Sequence, residues 1–538
     1  MNANLKLLAG AVLAALSPLA THAGCVNVGG TGGCFASIQA AIDSAAWDDT
    51  ITIAAGTYYE GNIRMNVQVN LVGAGRDATI VDGSVDNGDG TRSNSRNQVI
   101  HYSNNFDPRV TSTISGVTIR GGYRGVYAGR FNTVTLQSVR LTGNGPGSGA
   151  GAFINAERLI VRDSLVDNNF ATEGLGCDWY WDGGGAGGIG AGCGGGTVQI
   201  YNTSVVDNYA YGLGGGILLA GFDDVVENTT VSGNQADEYG RATNFGLGAV
   251  LGGFGTVRFS TFANNAGGGV YSSDQMHALG NLVQNNGGGG NCWNAPSLSE
   301  GYNVSSDATC TFSAPTDLAS TDAMLQPLAA NGSDRPTHAL VAHSPATDLI
   351  PGAACTLATD ERGVGRPQGA NCDAGAYEWV DDVNPVVAAH ANVTVPATRP
   401  TGADVTYAPA TATDNLAVAS VGCLPASGSA FAVGNTTVTC TATDVRGNVG
   451  TGTFTVHVQG VAEQIQNLLV LMGAANNGLT AKAAAMLGMI ALGHPKFACP
   501  ILGALENEVK ALSGKKIPVA KANAILVSIA QIRDALDC

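Results

Sequence analysis

Five short segments decide the fold: Ser164-Leu-Val-Asp-Asn168, Ser204-Val-Val-Asp-Asn208, Thr230-Val-Ser-Gly-Asn234, Thr261-Phe-Ala-Asn-Asn265 and Asn281-Leu-Val-Gln-Asn285. Each sets a small polar residue, then an apolar one, then an Asn four places after the first. The Asn positions fall 40, 26, 31 and 20 residues apart, and Asn144 precedes Asn168 by 24. A period of about 20–30 residues with one short strand set per repeat signals a solenoid, whose coils bury their apolar residues only by stacking. Asn at a recurring bend tolerates the left-handed conformation there. Its amide can also bond the amide of the next coil, so one Asn per coil is expected to form an internal ladder.

The same pattern extends toward the N-terminus. Ile51-Thr-Ile-Ala-Ala-Gly-Thr-Tyr-Tyr-Glu60, Val67-Gln-Val-Asn-Leu-Val-Gly73 and Val117-Thr-Ile-Arg-Gly-Gly122 are β-branched runs ended by glycine. Residues 35–47 read instead as a helix, with Ile38 and Ile42 one turn apart, placed to cover the open end of the stack. The chain has 76 glycines in 538 residues, about twice the ordinary share of ~7%, but no Gly-X-Y period. Its 44% hydrophobic content and 13% charged residues exclude a disordered chain. A net charge of −16 opposes binding to nucleic acid or another polyanion unless a cation or a local arginine patch intervenes.

Residues 1–23 read as an export signal: Lys6, an apolar run from Leu7 to Leu19, and Ala23 at the cleavage position. That run is shorter than the ~20 residues a membrane span needs. Cys25 directly after Gly24 also fits a lipoprotein signal, against which stand His22 and the odd thiol that lipidation would leave at Cys34. The twelve cysteines pair by proximity as Cys25/Cys34, Cys177/Cys193, Cys292/Cys310, Cys355/Cys372, Cys423/Cys440 and Cys499/Cys538. An exported chain in an oxidising compartment follows.

The opening of the mature chain, Cys34…Ile38-Gln-Ala-Ala-Ile42…Asp49-Thr-Ile-Thr-Ile53…Gly56-Thr-Tyr58, resembles the start of right-handed parallel β-helices of the pectin-lyase type. Its close, Asp360-Glu-Arg-Gly-Val-Gly-Arg-Pro367…Cys372-Asp-Ala-Gly-Ala-Tyr-Glu378, resembles the terminal signature of bacterial choice-of-anchor Q β-helix proteins. Residues 383–459 alternate Thr and Val between turns, as a small β-sandwich does. Cys423-Leu-Pro-Ala-Ser-Gly-Ser429 and Val433-Gly-Asn-Thr-Thr-Val-Thr-Cys440 there resemble a hyalin-repeat (HYR) domain, which implies an adhesion or spacer module. Residues 461–538 turn helical, hold six of the seven lysines, and resemble the FIMAH domain found after secreted hydrolases. The expected class is mainly β: a parallel β-helix over 24–380, a β-sandwich over 383–459, and a helical bundle over 461–538.

Candidate chemistry is dispersed. No lysine lies between Lys6 and Lys482, so a lyase with a Lys base is excluded. Arg120, Arg124, Arg130, Arg140, Arg158, Arg162, Arg241 and His277 remain open as a base, although most exposed arginines are simply solvated. Asp223-Asp224 resembles the paired acids of polygalacturonase-like hydrolases, but the elements that accompany that pair are missing, and a wet turn beside Gly221 is the favoured reading of the residues. Residues 172–197 lengthen one coil and carry Cys177-Asp-Trp-Tyr-Trp-Asp182. Trp179, Tyr180 and Trp181, edged by Asp178 and Asp182, suit sugar rings or else cover the side of the stack. Asp82, Asp86 and Asp89 are calcium candidates in a Gly/Asn-rich loop, without EF-hand spacing. The functional expectation is an extracellular polysaccharide as partner, bound or cleaved; a non-catalytic adhesin or matrix protein is the alternative.

Overall fold

The structure is a computed structural model that describes residues 24–538 except 103–108, 130–131, 156, 173–184, 192–195, 213, 220, 222, 238–246, 252–254, 273–275, 289, 294–296 and 474–476. It divides into two compact units, residues 1–380 and 381–538. The first is a parallel β-helix. Three long sheets of eleven, ten and nine strands run its length, and each takes its strands in chain order. Their pairing is parallel and in register: Thr133–Gln137 pairs residue for residue with Arg158–Arg162, and that strand with Thr197–Tyr201. Alternate residues of the first sheet, Leu71, Ile114, Leu136, Val161 and Ile200, point inward and are at most 1% exposed. Each such side chain contributes about 1.5–3 kcal/mol by leaving water.

The Asn repeat proves to be two adjacent columns, where one was expected. The residue at the bend is left-handed: Asn168 (φ 54°), Asp207 (φ 53°), Gly233 (φ 66°), Asn264 (φ 57°) and Asn285 (φ 55°). The ladder belongs to the residue after it. Asn144 Nδ2 donates to Asn169 Oδ1 at 3.0 Å, Asn169 to Asn208 at 3.0 Å, Asn208 to Asn234 at 3.1 Å, Asn234 to Asn265 at 3.0 Å and Asn265 to Asn286 at 2.9 Å. A side chain in left-handed backbone at the surface cannot also reach the axis, so the two roles need two residues. Each ladder oxygen also accepts the backbone N–H of the Asn one coil earlier. Deleting one leaves buried donors unpaired, at about 1–3 kcal/mol each.

The N-terminal helix is shorter than its sequence pattern suggests, Ile38–Ser44. Phe35 is held instead as an extension of the first sheet, donating its N–H to Cys25 O at 2.8 Å. Ser37 caps the helix, and the Glu60 carboxylate accepts the N–H groups of Ile38 (2.7 Å) and Gln39 (2.8 Å), which satisfies the first turn. The second unit contains a four-stranded sheet ordered Val393–Pro396, Val449–Gln459, Gly434–Asp444, Val418–Leu424. Helices Val461–Met472, Asn477–Ala491, Ala498–Leu512 and Val519–Leu536 follow. Among the described residues, five disulfides join Cys25–Cys34, Cys292–Cys310, Cys355–Cys372, Cys423–Cys440 and Cys499–Cys538. Cys177 and Cys193 lie outside the described residues, as do residues 1–23. Among the described residues, no helix is long and apolar enough to cross a membrane.

Candidate functional site, an arginine-lined cleft

The outer face of the ten-stranded sheet has two halves. Over its later coils, residues 318–380 fold back and cover it. Glu361, fully buried, accepts Ser204 Oγ and Thr230 Oγ1 at 2.6 Å each. His338 Nε2 meets Ser232 Oγ at 2.8 Å, Thr261 Oγ1 accepts the Ala376 N–H at 3.0 Å, and Gln284 Oε1 accepts that of Ala323 at 2.8 Å. The closing motif supplies the charges that seal this cover. Arg366 pairs with Glu378 at 3.2 Å and donates to the carbonyls of Asp373 and Gly375 at 2.8 and 2.7 Å. Arg362 pairs with Asp360. These motif residues are spent on structure.

Over the earlier coils the sheet stays open, and a cleft of 590 Å³ lies there. Strands Gly56–Tyr59, Thr79–Asp82, Thr118–Arg120 and Arg140–Thr142 make its floor. Register aligns Tyr59, Asp82, Arg120 and Thr142 in one outward column, while Ile80, Thr118 and Arg140 lie in the next. Arg76, Arg92, Arg120 and Arg140 all line the cleft, together with Asp77 and Asp82. Four cations converge on a surface of a chain whose net charge is −16.

Each arginine is fixed by a different contact. Arg120 Nε bonds Asp82 Oδ2 at 2.8 Å, so both its Nη groups keep donors for solvent or ligand. Arg140 grips Asp167 through Nε (2.9 Å) and Nη2 (2.7 Å), which raises the guanidinium above its ordinary value. Arg76 is buried and ion-paired with Asp334 of the covering segment. Arg92 stands on the hairpin of Val85–Asp86 and Arg92–Ser93, its guanidinium 4.1 Å from the Tyr59 ring centre and its Nε on Ser84 Oγ at 2.8 Å. Burial alone would raise the Asp82 carboxyl; hydrogen bonds from Ser84 and Arg120 outweigh it and hold the group below its ordinary value. Asp82 is therefore a poor proton donor here. Planar guanidinium forks match carboxylates in pairs of hydrogen bonds, so the cleft is chemically suited to an anion with hydroxyl neighbours.

The other candidates are placed as follows. Asp82, Asp86 and Asp89 are not gathered into a donor set, because Asp82 serves Arg120 while Asp86 and Asp89 accept the N–H groups of Gly88 (2.8 Å) and Thr91 (2.9 Å) in their own turn. Asp223 is an exposed left-handed turn residue (φ 64°). Asp224 is 3% exposed, and its oxygens accept the Val198 N–H (2.7 Å) and Gly221 N–H (3.0 Å). Burial pushes its carboxyl up to about 6 despite those bonds. Arg124 lies 4.9 Å over the Phe153 ring, Arg158 and Arg162 bond Gln199 (3.2 Å) and Gln137 (3.0 Å), and His277 bonds Glu300 at 3.0 Å. Asp178, Trp179, Tyr180, Trp181, Asp182, Arg130 and Arg241 lie outside the described residues. Sequence reasoning named Arg120, Arg140 and Asp82 without joining them. It passed over Tyr59, Arg76 and Arg92; one coil here is 22 residues, so Arg120 registers with Thr142 and Arg140 with Thr118, and no simple spacing joins the two arginines.

Comparison with known proteins adds one family to this geometry. Residues 380–458 match the HYR domain. Curated proteins give no match. Among solved structures, the chain is similar to pectin methylesterase PemA from Erwinia chrysanthemi, at 14% identity and a TM-score of 0.30, over 55% of this chain and 93% of that one. It is also similar to a pectin methylesterase mutant in complex with a hexasaccharide, at 13% identity and a TM-score of 0.27, over 56% of this chain and 93% of the other.

Proposed function

We propose that this is an exported protein whose β-helix holds an acidic polysaccharide of the uronate class in the arginine cleft, as a binding surface and without turnover there. The observation that carries the reading is the convergence of Arg92, Arg120 and Arg140 on the uncovered half of one sheet in an acidic chain, with the Asp334-paired Arg76 also lining the cleft. Neighbouring strands lie about 4.8 Å apart, so Arg120 and Arg140, on adjacent coils, reach one sugar unit or two consecutive ones. Thr118, Thr142 and Ser84 supply hydroxyl partners beside them. The pairing of Asp82 with Arg120 favours holding a ligand over donating a proton to it. The HYR region then acts as a spacer, and the helices of 461–538 as a FIMAH-like terminal module. The Trp179, Tyr180 and Trp181 run is proposed as a second sugar contact.

The test is retention on immobilised polygalacturonate against a neutral glucan, with a parallel assay for released fragments. Retention should be specific to the acidic polymer and fall as salt screens the arginines. An Arg120→Gln, Arg140→Gln double variant should weaken it at least tenfold. Undiminished retention in that variant removes the cleft as the binding site, and steady release of fragments replaces the binding reading with an enzymatic one.

A further inference from the structure

The second unit contains an acidic cluster outside the cleft. Asp381 stands ahead of strand Val386–Val387, and Asp414 follows Ala412–Thr413, the strand it pairs with. Asp444 ends Gly434–Asp444. One carboxylate oxygen from each lies within 4.8 Å of the other two. Asp381 is 8% exposed and Asp444 2%.

The hydrogen bonds around these groups are incomplete in a telling way. Asp381 Oδ1 accepts Asn415 Nδ2 at 3.0 Å, while its Oδ2 is buried without a partner. Asp414 Oδ2 accepts the Leu416 N–H at 3.0 Å, while its Oδ1 is likewise buried and unpartnered. Asp444 is held rigidly: Oδ1 accepts the N–H groups of Arg446 (2.8 Å) and Asn448 (2.9 Å), and Oδ2 accepts Asn448 Nδ2 (2.9 Å). The same Asn448 amide donates to Asp381 O at 3.0 Å, tying two of the three segments together. Buried carboxylate oxygens normally find a donor, and like charges this close repel. A cation answers both demands at once.

We infer that Asp381, Asp414 and Asp444 bind a calcium ion that fastens the leading segment of the second unit to two loops of its β-sandwich. The donors are all hard carboxylate oxygens, with no His or Cys among them, which disfavours zinc. Each carboxylate offers one oxygen to a shared point, Asp381 Oδ2 and Asp414 Oδ1 being unpartnered, and calcium completes its 6–8 oxygens at 2.3–2.6 Å in irregular geometry with water. Magnesium requires a near-ideal octahedron, which side chains already anchored by Asn415, Leu416 and Asn448 cannot all rearrange to provide.

The experiment is calorimetric titration of Ca²⁺ into the EDTA-stripped full chain, with scanning calorimetry on the same samples. The wild type should bind Ca²⁺ with a Kd in the range of about 10⁻⁶–10⁻³ M and melt higher with the ion present. Asp414→Asn keeps an oxygen for the Leu416 N–H and removes one charge. It should lose at least tenfold in affinity while melting in EDTA no lower than the wild type, because repulsion has fallen. Asp381→Asn should lose affinity likewise. Absence of a Ca²⁺ response in the wild type, unchanged affinity in both variants, or an equal response to Mg²⁺ would each overturn the assignment.

Discussion

The two halves of the ten-stranded sheet share one register and one backbone, yet their outer faces differ throughout. Where the covering segment lies, the outward columns read Ser204, Thr230, Thr261 and Val206, Ser232, Ala263, all at most 3% exposed. In the open half the same columns read Thr118, Arg140 and Tyr59, Asp82, Arg120, with Tyr59 61% exposed. Short hydroxyls can be roofed by another segment and still find a hydrogen bond. Long charged side chains lose water when roofed and need a partner there, as Arg76 has in Asp334, whereas Arg120 and Arg140 stay part-exposed to solvent or to a charged ligand. Side-chain size along a column thus separates buried sheet from binding sheet.

The most severe way to break this contrast is to unseal the cover. Arg366→Ala should cost about 3–5 kcal/mol, because it strands the buried Glu378 carboxylate and two carbonyls. Proteolysis of residues 318–380 would report it, and a loss below about 1 kcal/mol would mean the covered half holds without its charges.

A somewhat smaller effect is expected from pH. Burial pushes the Glu361 carboxyl up to about 7 against an ordinary 4.5, with Ser204 and Thr230 opposing the shift. The folded chain therefore keeps a proton that the unfolded chain has released. This contribution is fully present below pH 4.5 and is lost as pH rises through about 7, to the extent of roughly 3 kcal/mol. Glu361→Gln should flatten that slope in a series of melting curves, and an unchanged slope would place the proton elsewhere.

The smallest effect belongs to the open half. Arg120→Gln should change stability by less than about 1 kcal/mol, since its pair with Asp82 is 43% exposed on the arginine side. A larger loss would show that the open half is packed like the covered one.

Much of the fold was legible because a stacked coil repeats its demands. Glycine-ended β-branched runs gave the strands, and the recurring Asn gave the stack. The expected rungs at Asn144, Asn208, Asn234 and Asn265 are the true ones, and the register slipped by one only at Asn168 and Asn285, where the adjacent columns, Asn168 with Asn169 and Asn285 with Asn286, use the same residue type for different tasks. The cleft was not legible. Its residues come from coils ahead of the explicit repeat, and Asp82 meets Arg120 across 38 positions that only the pairing of strands brings together. The carboxylates at 381, 414 and 444 were hidden for the same reason: nothing in their spacing marks them until three loops converge.

The asparagine ladder steps through 25, 39, 26, 31 and 21 residues between rungs, yet its bonds stay within 2.9 to 3.1 Å. Like a screw whose thread pitch is cut independently of its flange, the axis takes no account of what projects from each turn. New segments grafted into those outward excursions should leave the pitch untouched, so the surface can diversify while the shaft is inherited whole.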